Sequence, residues 1–225
     1  MSLLLDIQHL TEQTYQQKTG VNLEEFVIGK TRSDYLSQFC CDHDQLSQVA
    51  RVFFRTIDRQ LYVAIYFHKK LIHLLEKNDP RLGLSEKNIT PFIIFIEEIN
   101  HAIHGALRFL EGYNNVRDEN FLRELELQAK IDTYLLLKYF LAYFNQTGQL
   151  EMLDKLWLKY HLFESQDLNY EDSNIAARYS EAIQLGEKFV RFVDSLPIVE
   201  RSGELTRFRV MNYHSKKKYI AHLPN

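Results

Sequence analysis

The sequence predicts an α+β fold that is mostly α, with a small N-terminal β element followed by a helix-rich body. Two observations predict it. The segment 49–67 is rich in Val, Ile, Phe and Tyr and alternates apolar with polar residues, which is typical of strands. After residue 90, apolar residues recur at helical spacing instead. No Gly-rich phosphate loop and no GxSxG motif occurs in the sequence.

Length and composition are those of an ordinary globular protein. The chain has 225 residues, of which 45% are hydrophobic and 25% charged, so it can bury a sizeable core. We expect a single domain, 1–225, with a mixed α/β part at 1–80 and a helical part at 90–225.

The charge and the apolar segments exclude several classes of partner. A net charge of −3 is atypical of a general nucleic-acid-binding protein. The longest apolar run, PFIIFI, is too short to span a bilayer. Because Asp6 interrupts the apolar start, a signal peptide is not predicted. We therefore expect a cytoplasmic protein with no nucleic-acid or membrane partner.

The only two cysteines, Cys40 and Cys41, are adjacent. Neighbouring cysteines rarely bridge each other, because the backbone geometry opposes it. The sequence also lacks the second pair of ligands that a zinc motif needs. We therefore expect Cys40 and Cys41 to have a structural or incidental role, in a protein of a reducing compartment.

The first part of the chain predicts short elements. A helix is expected at 2–18, with apolar residues on one side and Gly20 at its end. A short strand at 24–29 and a helical turn at 33–39 follow. After the alternating segment, the pattern predicts a helix at 68–79 that closes at Asp-Pro.

The alternating segment itself predicts a β-hairpin. Val52, Phe54 and Thr56 alternate with their neighbours in its first half. The second half continues the pattern up to residue 67, and Asp58-Arg59 lies where the chain would turn.

Longer helices are predicted for the rest of the chain. Thr90 as N-cap and Pro91 at the first helical position favour a helix that stops near Gly112. The periodicity predicts three more helices, at 118–146, 150–163 and 173–196. The last 25 residues fit no single element.

The predicted helix 91–112 carries polar residues on an apolar background. Its sequence from residue 93, IIFIEEINHAIHGALRF, sets Glu97, Glu98, His101 and His104 among Ile, Phe and Ala. Residues three or four apart share a helix face, so Glu97, Glu98 and His101 are neighbours. A carboxylate in apolar surroundings has to be paired or to bind a metal, because its desolvation is costly.

One interpretation is a buried polar network without catalysis. Glu97 or Glu98 would then pair with a histidine or with a cation of the same region, such as Arg108 or Lys130. The protein would be a helical interaction protein.

A second interpretation is half of a di-iron site. Glu98 and His101 have the Glu-x-x-His spacing of carboxylate-bridged di-iron bundles, which need a second copy on another helix. The chain offers only the reversed order, His161 to Glu164.

A third interpretation rests on a resemblance to the zincins. Residues 97–101, Glu-Glu-Ile-Asn-His, resemble the His-Glu-x-x-His zinc motif with Glu in place of the first His. The segment 124–142, ELELQAKIDTYLLLKYFLA, resembles the second helix of gluzincin metallopeptidases, which carries a Glu ligand. The resemblance covers about 49–142, including the strand-rich segment. The chain is also similar to an uncharacterised bacterial family that pairs EExxH with LELQA.

The resemblance implies a role for each of these residues. Glu97, His101 and Glu126 would be the metal ligands, and Glu98 would take the proton from a metal-bound water. With two anionic ligands, the site would favour iron or manganese over zinc and would acidify its water less. The resemblance therefore implies a protein that binds a divalent metal. Such a protein would be either a metal-dependent peptidase or a degenerate, inactive relative that binds a protein or peptide.

Three further residues receive roles by the same resemblance. Asp132 would orient a ligand histidine. His104 or Tyr134 would stabilise the oxyanion.

Two features remain outside this comparison. The lysines 216–218, beside Tyr213 and Tyr219, predict a solvated terminal face or an anion-binding patch. The aromatic residues of the run 134–144 are expected to pack in the core or to form a dimer interface. In the second case the protein would be a homo-oligomer. Trp157 is expected to serve packing.

Overall fold

The computed structural model describes residues 2–39, 49–116, 118–145, 148–165, 170 and 172–224. Within those residues the α-helices are α1 Leu3–Tyr15, α2 Lys30–Ser37, α3 Lys69–Lys77, α4 Ile89–Leu110, α5 Glu119–Phe144, α6 Met152–Lys159, α7 Ser173–Ser195, α8 Ile198–Arg209 and α9 Tyr213–Ala221. The strands are β1 Val27–Ile28, β2 Ala50–Ile57 and β3 Gln60–Phe67. The prediction of an α+β, mostly α fold is confirmed. Cys40 and Cys41 lie outside the described residues.

The β-hairpin forms where the alternating pattern predicts it. β2 and β3 pair antiparallel, with Ile57 opposite Gln60 beside the turn. Asp58 and Arg59 both have positive φ, 49° and 61°. Two left-handed residues match the right-handed twist of the flanking strands, so the turn closes without glycine.

β1 completes the sheet on the other side of β3. The strand order is β1-β3-β2, and Val27 pairs in parallel with Ile65. The predicted strand at 24–29 is therefore too long, because residues Leu23–Phe26 form a 3₁₀ turn. That turn starts at Asn22, whose side chain accepts a hydrogen bond from the Glu24 amide.

Helix α4 starts earlier than predicted. Ile89 is its first residue and Asn88 is its N-cap, so Thr90 and Pro91 fall inside the first turn. The Asn88 side chain accepts a hydrogen bond from the Ser85 amide at 2.8 Å and fixes the preceding loop. Proline is tolerated there because the first amides of a helix have no intrahelical partner.

The ends of the chain also differ from the prediction. Helix α1 stops at Tyr15, because Gln16 adopts a left-handed φ of 52° before Gly20 is reached. The last residues, which fit no single element in sequence, form α8 and α9. Asn212 caps α9 by accepting a hydrogen bond from Ser215 N.

The hairpin packs against α4 at a glycine. A Cβ at Gly105 would lie 2.4 Å from the ring of Phe54 on β2. Phe67 of β3 packs its ring 4.7 Å from that of Phe95, measured between centroids. The sheet therefore covers one side of α4 and leaves another side for α5.

Helices α4 and α5 run antiparallel. Near the start of α4, Phe92 packs edge-on against Phe140 close to the end of α5, with ring centroids 5.1 Å apart. Near the end of α4, Arg108 Nε lies 3.1 Å from Glu124 Oε1 at the start of α5. The polar residues of the two helices meet between these contacts.

Candidate functional site

Five side chains of α4 and α5 form the cluster that we call the acidic cluster: Glu97, Glu98, His101, Glu126 and Lys130. His101 Nε2 lies 3.4 Å from Glu126 Oε2, and His101 Nδ1 lies 3.7 Å from Glu98 Oε2. Lys130 Nζ donates a hydrogen bond to Glu97 Oε1 at 2.6 Å. All three predicted ligands and the predicted base thus lie in one cluster.

The ammonium group of Lys130 lies beside Glu97, the first of the predicted metal ligands. Lys130 follows Glu126 by one helical turn and so shares its face of α5. Its side chain is only 3% exposed. Helix α7 packs closely over its stem, because a Cβ at Gly186 would lie 3.3 Å from Lys130 Cβ. A buried ammonium has to be paired, and Glu97 supplies that pairing.

His101 is held between two carboxylates. Its Nε2 is buried and has no hydrogen-bond partner among the residues that the structure describes, since the 3.4 Å contact with Glu126 lacks hydrogen-bond geometry. Burial lowers the pKa of His101, but Glu126 and Glu98 outweigh burial and raise that pKa well above its ordinary value. The carboxylates of the acidic cluster therefore face the His101 ring and the Lys130 ammonium.

Glu126 stays ionised in this environment. Burial raises the pKa of its carboxyl, but His101 and Lys130 outweigh burial and lower that pKa below its ordinary value. The two helices are therefore joined by ionic contacts across a partly buried face, with Glu126 10% exposed.

Helix α7 adds a phenol that the sequence motifs do not indicate. Burial, the charge of Glu126 and the neighbouring Tyr170 raise the pKa of Tyr179, and Glu98 and Glu97 add to the effect. Tyr179 also stacks on Tyr170, with ring centroids 5.0 Å apart. No spacing rule links α7 to α4, so only tertiary packing could have identified this residue.

Asp132 and His104 belong to a different cluster. The Asp132 carboxylate pairs with His104 Nε2 and accepts a hydrogen bond from the Tyr15 hydroxyl. Gln128 Nε2 donates to Tyr15 Oη at 2.8 Å, and Lys216 Nζ donates to Gln128 Oε1 at 2.9 Å. We call Tyr15, His104, Gln128, Asp132 and Lys216 the interior network.

The predicted roles of Asp132 and His104 do not match these contacts. Asp132 orients His104, whereas the resemblance implies a ligand histidine, here His101. His104 is 3% exposed and faces the core. Burial lowers its pKa, although the Asp132 charge opposes the shift.

Tyr134 also has another partner. Its hydroxyl donates to Asp194 on α7, which Lys138 contacts as well. Burial and this hydrogen bond raise the pKa of Tyr134. Of the aromatic run, Tyr134 and Phe140 are buried, whereas Tyr143 is exposed.

The reversed pair His161 and Glu164 does not complete a di-iron motif. His161 Nε2 lies 3.1 Å from Glu86, and Glu164 lies 2.9 Å from Lys159. Trp157 donates its indole N–H to Glu86 at 2.6 Å. These contacts hold α6 and its π-helical extension against the loop before α4.

The three C-terminal lysines do not form one surface. Lys216 is 1% exposed, whereas Lys217 pairs with Glu181 on α7. The prediction that all three lysines form a solvated face or an anion-binding patch is therefore wrong for Lys216.

The predicted ligand set fits a divalent metal poorly. Glu97 already receives the Lys130 ammonium, which repels a metal cation and would have to move. In the part of the chain that the structure describes, no group of three or more His, Cys, Asp or Glu side chains is arranged to hold a metal. The same residues contain no helix long and apolar enough to cross a membrane.

No protein-family model, curated protein or solved structure matches this chain. The zincin resemblance therefore stays a prediction from the residues themselves.

Proposed function

We propose that this chain is a zincin-like protein in which the Lys130 ammonium takes over the counter-ion role of the metal. It would act by binding a protein or peptide in the cytoplasm, without hydrolysing it. The single observation that carries the proposal is the 2.6 Å hydrogen bond from Lys130 to Glu97 on a buried helix face.

Two other features support the zincin-like part of the proposal. A sheet packs against the helix with the Glu-Glu-x-x-His sequence, through Phe54 and Gly105. Glu126 lies beside His101 and not on the opposite side of α5. Both are what a zincin-like arrangement of strand, first helix and second helix requires.

The chemistry of an ammonium explains why hydrolysis is not expected. A catalytic metal lowers the pKa of a bound water and leaves a coordination position open for it. Lys130 neutralises Glu97 but offers no such position. Glu98 then has no activated water to deprotonate, and its carboxylate faces His101 instead.

The experiment is to remove the ammonium and titrate zinc and manganese by calorimetry. Lys130→Met keeps most of the stem and frees Glu97, so we expect one metal per chain to bind this variant and none to bind the wild type. Lys130→Met combined with Glu126→Gln should lose that binding. Lys138→Met, which removes another α5 lysine, is the matched control and should behave like the wild type.

A second candidate function is metal-dependent peptide hydrolysis. The observation that favours it is the buried His101 Nε2, which lies beside Glu126 and has no hydrogen-bond partner in the described part of the chain. Wild-type protein that binds one metal tightly, with Lys130→Met making no difference, would overturn the proposal, and cleavage of a peptide library by that metal-loaded protein would then establish this candidate.

A further inference from the structure

A groove of about 470 Å³ opens between the start of α1, β1 and α3. We call it the α1–α3 groove. Its floor is apolar and is formed by Leu4, Val27, Phe67, Ile72, Leu75 and Phe95. Its rim carries Glu24, Glu76, Asp79 and Arg81.

The floor offers a preformed site for an apolar side chain. Phe67 and Phe95 pack on each other and are nearly buried, so the bottom of the groove is fixed by the core. Val27 keeps 42% of its surface exposed at the edge. A concave apolar surface of this kind gains free energy when a ligand removes it from water.

The rim has an excess of negative charge. Arg81 is neutralised by Asp79 at 2.7 Å and by Asp6 at 3.4 Å. Among the described residues, Glu24 and Glu76 make no ion pair, and both are exposed. A ligand that places cations beside its apolar group would therefore complement this rim.

Helix α3 lines a second groove of equal volume and opposite charge. This groove, also about 470 Å³, has the apolar residues Leu71 and Leu74 with Lys30, His68 and Lys70 at its edge. Lys30 pairs with Asp34 at 2.9 Å, so the positive charge of this second groove comes mainly from Lys70. The difference in charge between the two grooves provides an internal control for specificity.

We propose that the α1–α3 groove binds a peptide segment in which apolar residues are flanked by lysine or arginine. The apolar side chains would fill the floor, and the flanking cations would pair with Glu24 and Glu76. Binding of such a peptide in the α1–α3 groove does not depend on the state of the acidic cluster.

The test uses three labelled pentapeptides and fluorescence polarisation. The probes are Lys-Leu-Phe-Leu-Lys, its charge-reversed form Glu-Leu-Phe-Leu-Glu, and the polar form Lys-Ser-Gly-Ser-Lys. We expect saturable binding of the first peptide alone, weakened by added salt. Double charge reversal, Glu24→Lys with Glu76→Lys, should weaken it about tenfold, the effect of two exposed ion pairs.

Matched variants locate the site. Lys30→Glu with Lys70→Glu changes the second groove and should leave binding of the cationic peptide unchanged. Val27→Ser should weaken that binding through the floor without changing its salt dependence. Lys130→Met should leave it unchanged, so that failure here is separable from failure of the proposed function.

Two outcomes would overturn this inference. The first is equal binding of the cationic and anionic peptides, which would mean a non-specific apolar surface. The second is undiminished binding of the cationic peptide by the Glu24→Lys, Glu76→Lys protein. Concentration-dependent dimerisation that this variant abolishes would instead identify a second copy of the chain as the occupant.

Discussion

Two buried lysines determine the charge balance of the helix pair. Lys130 neutralises Glu97 in the acidic cluster, and Lys216 lies between Glu124 and Gln128 in the interior network. The sequence pattern predicts a solvated face for Lys216, whereas it places Lys130 among the candidate partners of Glu97 and Glu98. The ion pairs of these two lysines offset the free-energy cost of desolvating the buried carboxylates around them.

The spacing within one helix could be predicted at this scale. Lys130 is also among the predicted partners of Glu97 in the buried-network interpretation, but which of those candidates makes the contact could not be predicted. Glu97, Glu98 and His101 share a face because three and four residues make one turn. That Lys130 contacts Glu97 depends on how α4 and α5 pack, and the effect of these carboxylates on the pKa of Tyr179 depends on the packing of α7. That Asp132 pairs with His104 and not with His101 depends on the same packing.

Lys216 should make stability rise with pH in the alkaline range. Burial lowers its pKa from 10.5 to about 8, although Glu124 opposes the shift. Between these values the unfolded chain binds more protons than the folded one, so the free energy of unfolding increases from pH 8 to 10.5, by up to about 3 kcal/mol.

The measurement is urea unfolding at several pH values between 7.5 and 10.5, compared with Lys216→Met. The difference between the two proteins isolates this lysine from other groups that titrate there. An equal pH dependence in both proteins would mean that Lys216 is as solvated as a surface lysine.

At the scale of elements, the contact between the hairpin and α4 depends on one glycine. Gly105→Ala would place a methyl group 2.4 Å from the Phe54 ring, so one of the two elements has to shift. We expect a loss of about 1–3 kcal/mol of unfolding free energy, the usual cost of overpacking. Chemical denaturation followed by circular dichroism measures it.

Gly203→Ala is the control for this substitution. Gly203 lies in α8, and a Cβ added there would meet no atom within 4 Å, so alanine should be neutral or stabilising by helix propensity. Similar destabilisation by both substitutions would contradict the close packing of Phe54 on α4.

Helix α1 contacts the interior network through the hydroxyl group of Tyr15. Tyr15 is 1% exposed and donates to Asp132. Tyr15→Phe keeps the ring and removes a hydrogen bond to a charged group, so it should cost about 1.5–3 kcal/mol. Hydrogen exchange should show faster exchange in α1, whereas Tyr35→Phe, at a residue that is 59% exposed, should change nothing.

Across the whole molecule, the strand-rich start and the long helices were predictable, whereas the C-terminal helices were not. The alternation of apolar and polar residues predicts β2 and β3, and apolar residues at helical spacing predict α4, α5 and α7. In α8 the apolar residues Ile198 and Val199 are 80% and 89% exposed, and in α9 Lys216 is buried. This inversion removes the amphipathic signal, and in α9 the burial of Lys216 follows from its pairing with Glu124 and Gln128 on α5.

At the centre of the molecule we propose a zincin-like helix pair whose charge is balanced without a metal. Helix α4 meets the hairpin on one side and α5 on another, and the acidic cluster lies between the two helices. A divalent ion would compete with Lys130 for Glu97.

The most direct test is the metal content of wild-type protein, purified without chelators or nickel affinity and measured by mass spectrometry beside His101→Ala and Glu126→Ala. We predict far less than one metal per chain in all three proteins. Near-stoichiometric metal in the wild type, lost in both variants, would contradict the metal-free charge balance and establish a metal centre on His101 and Glu126.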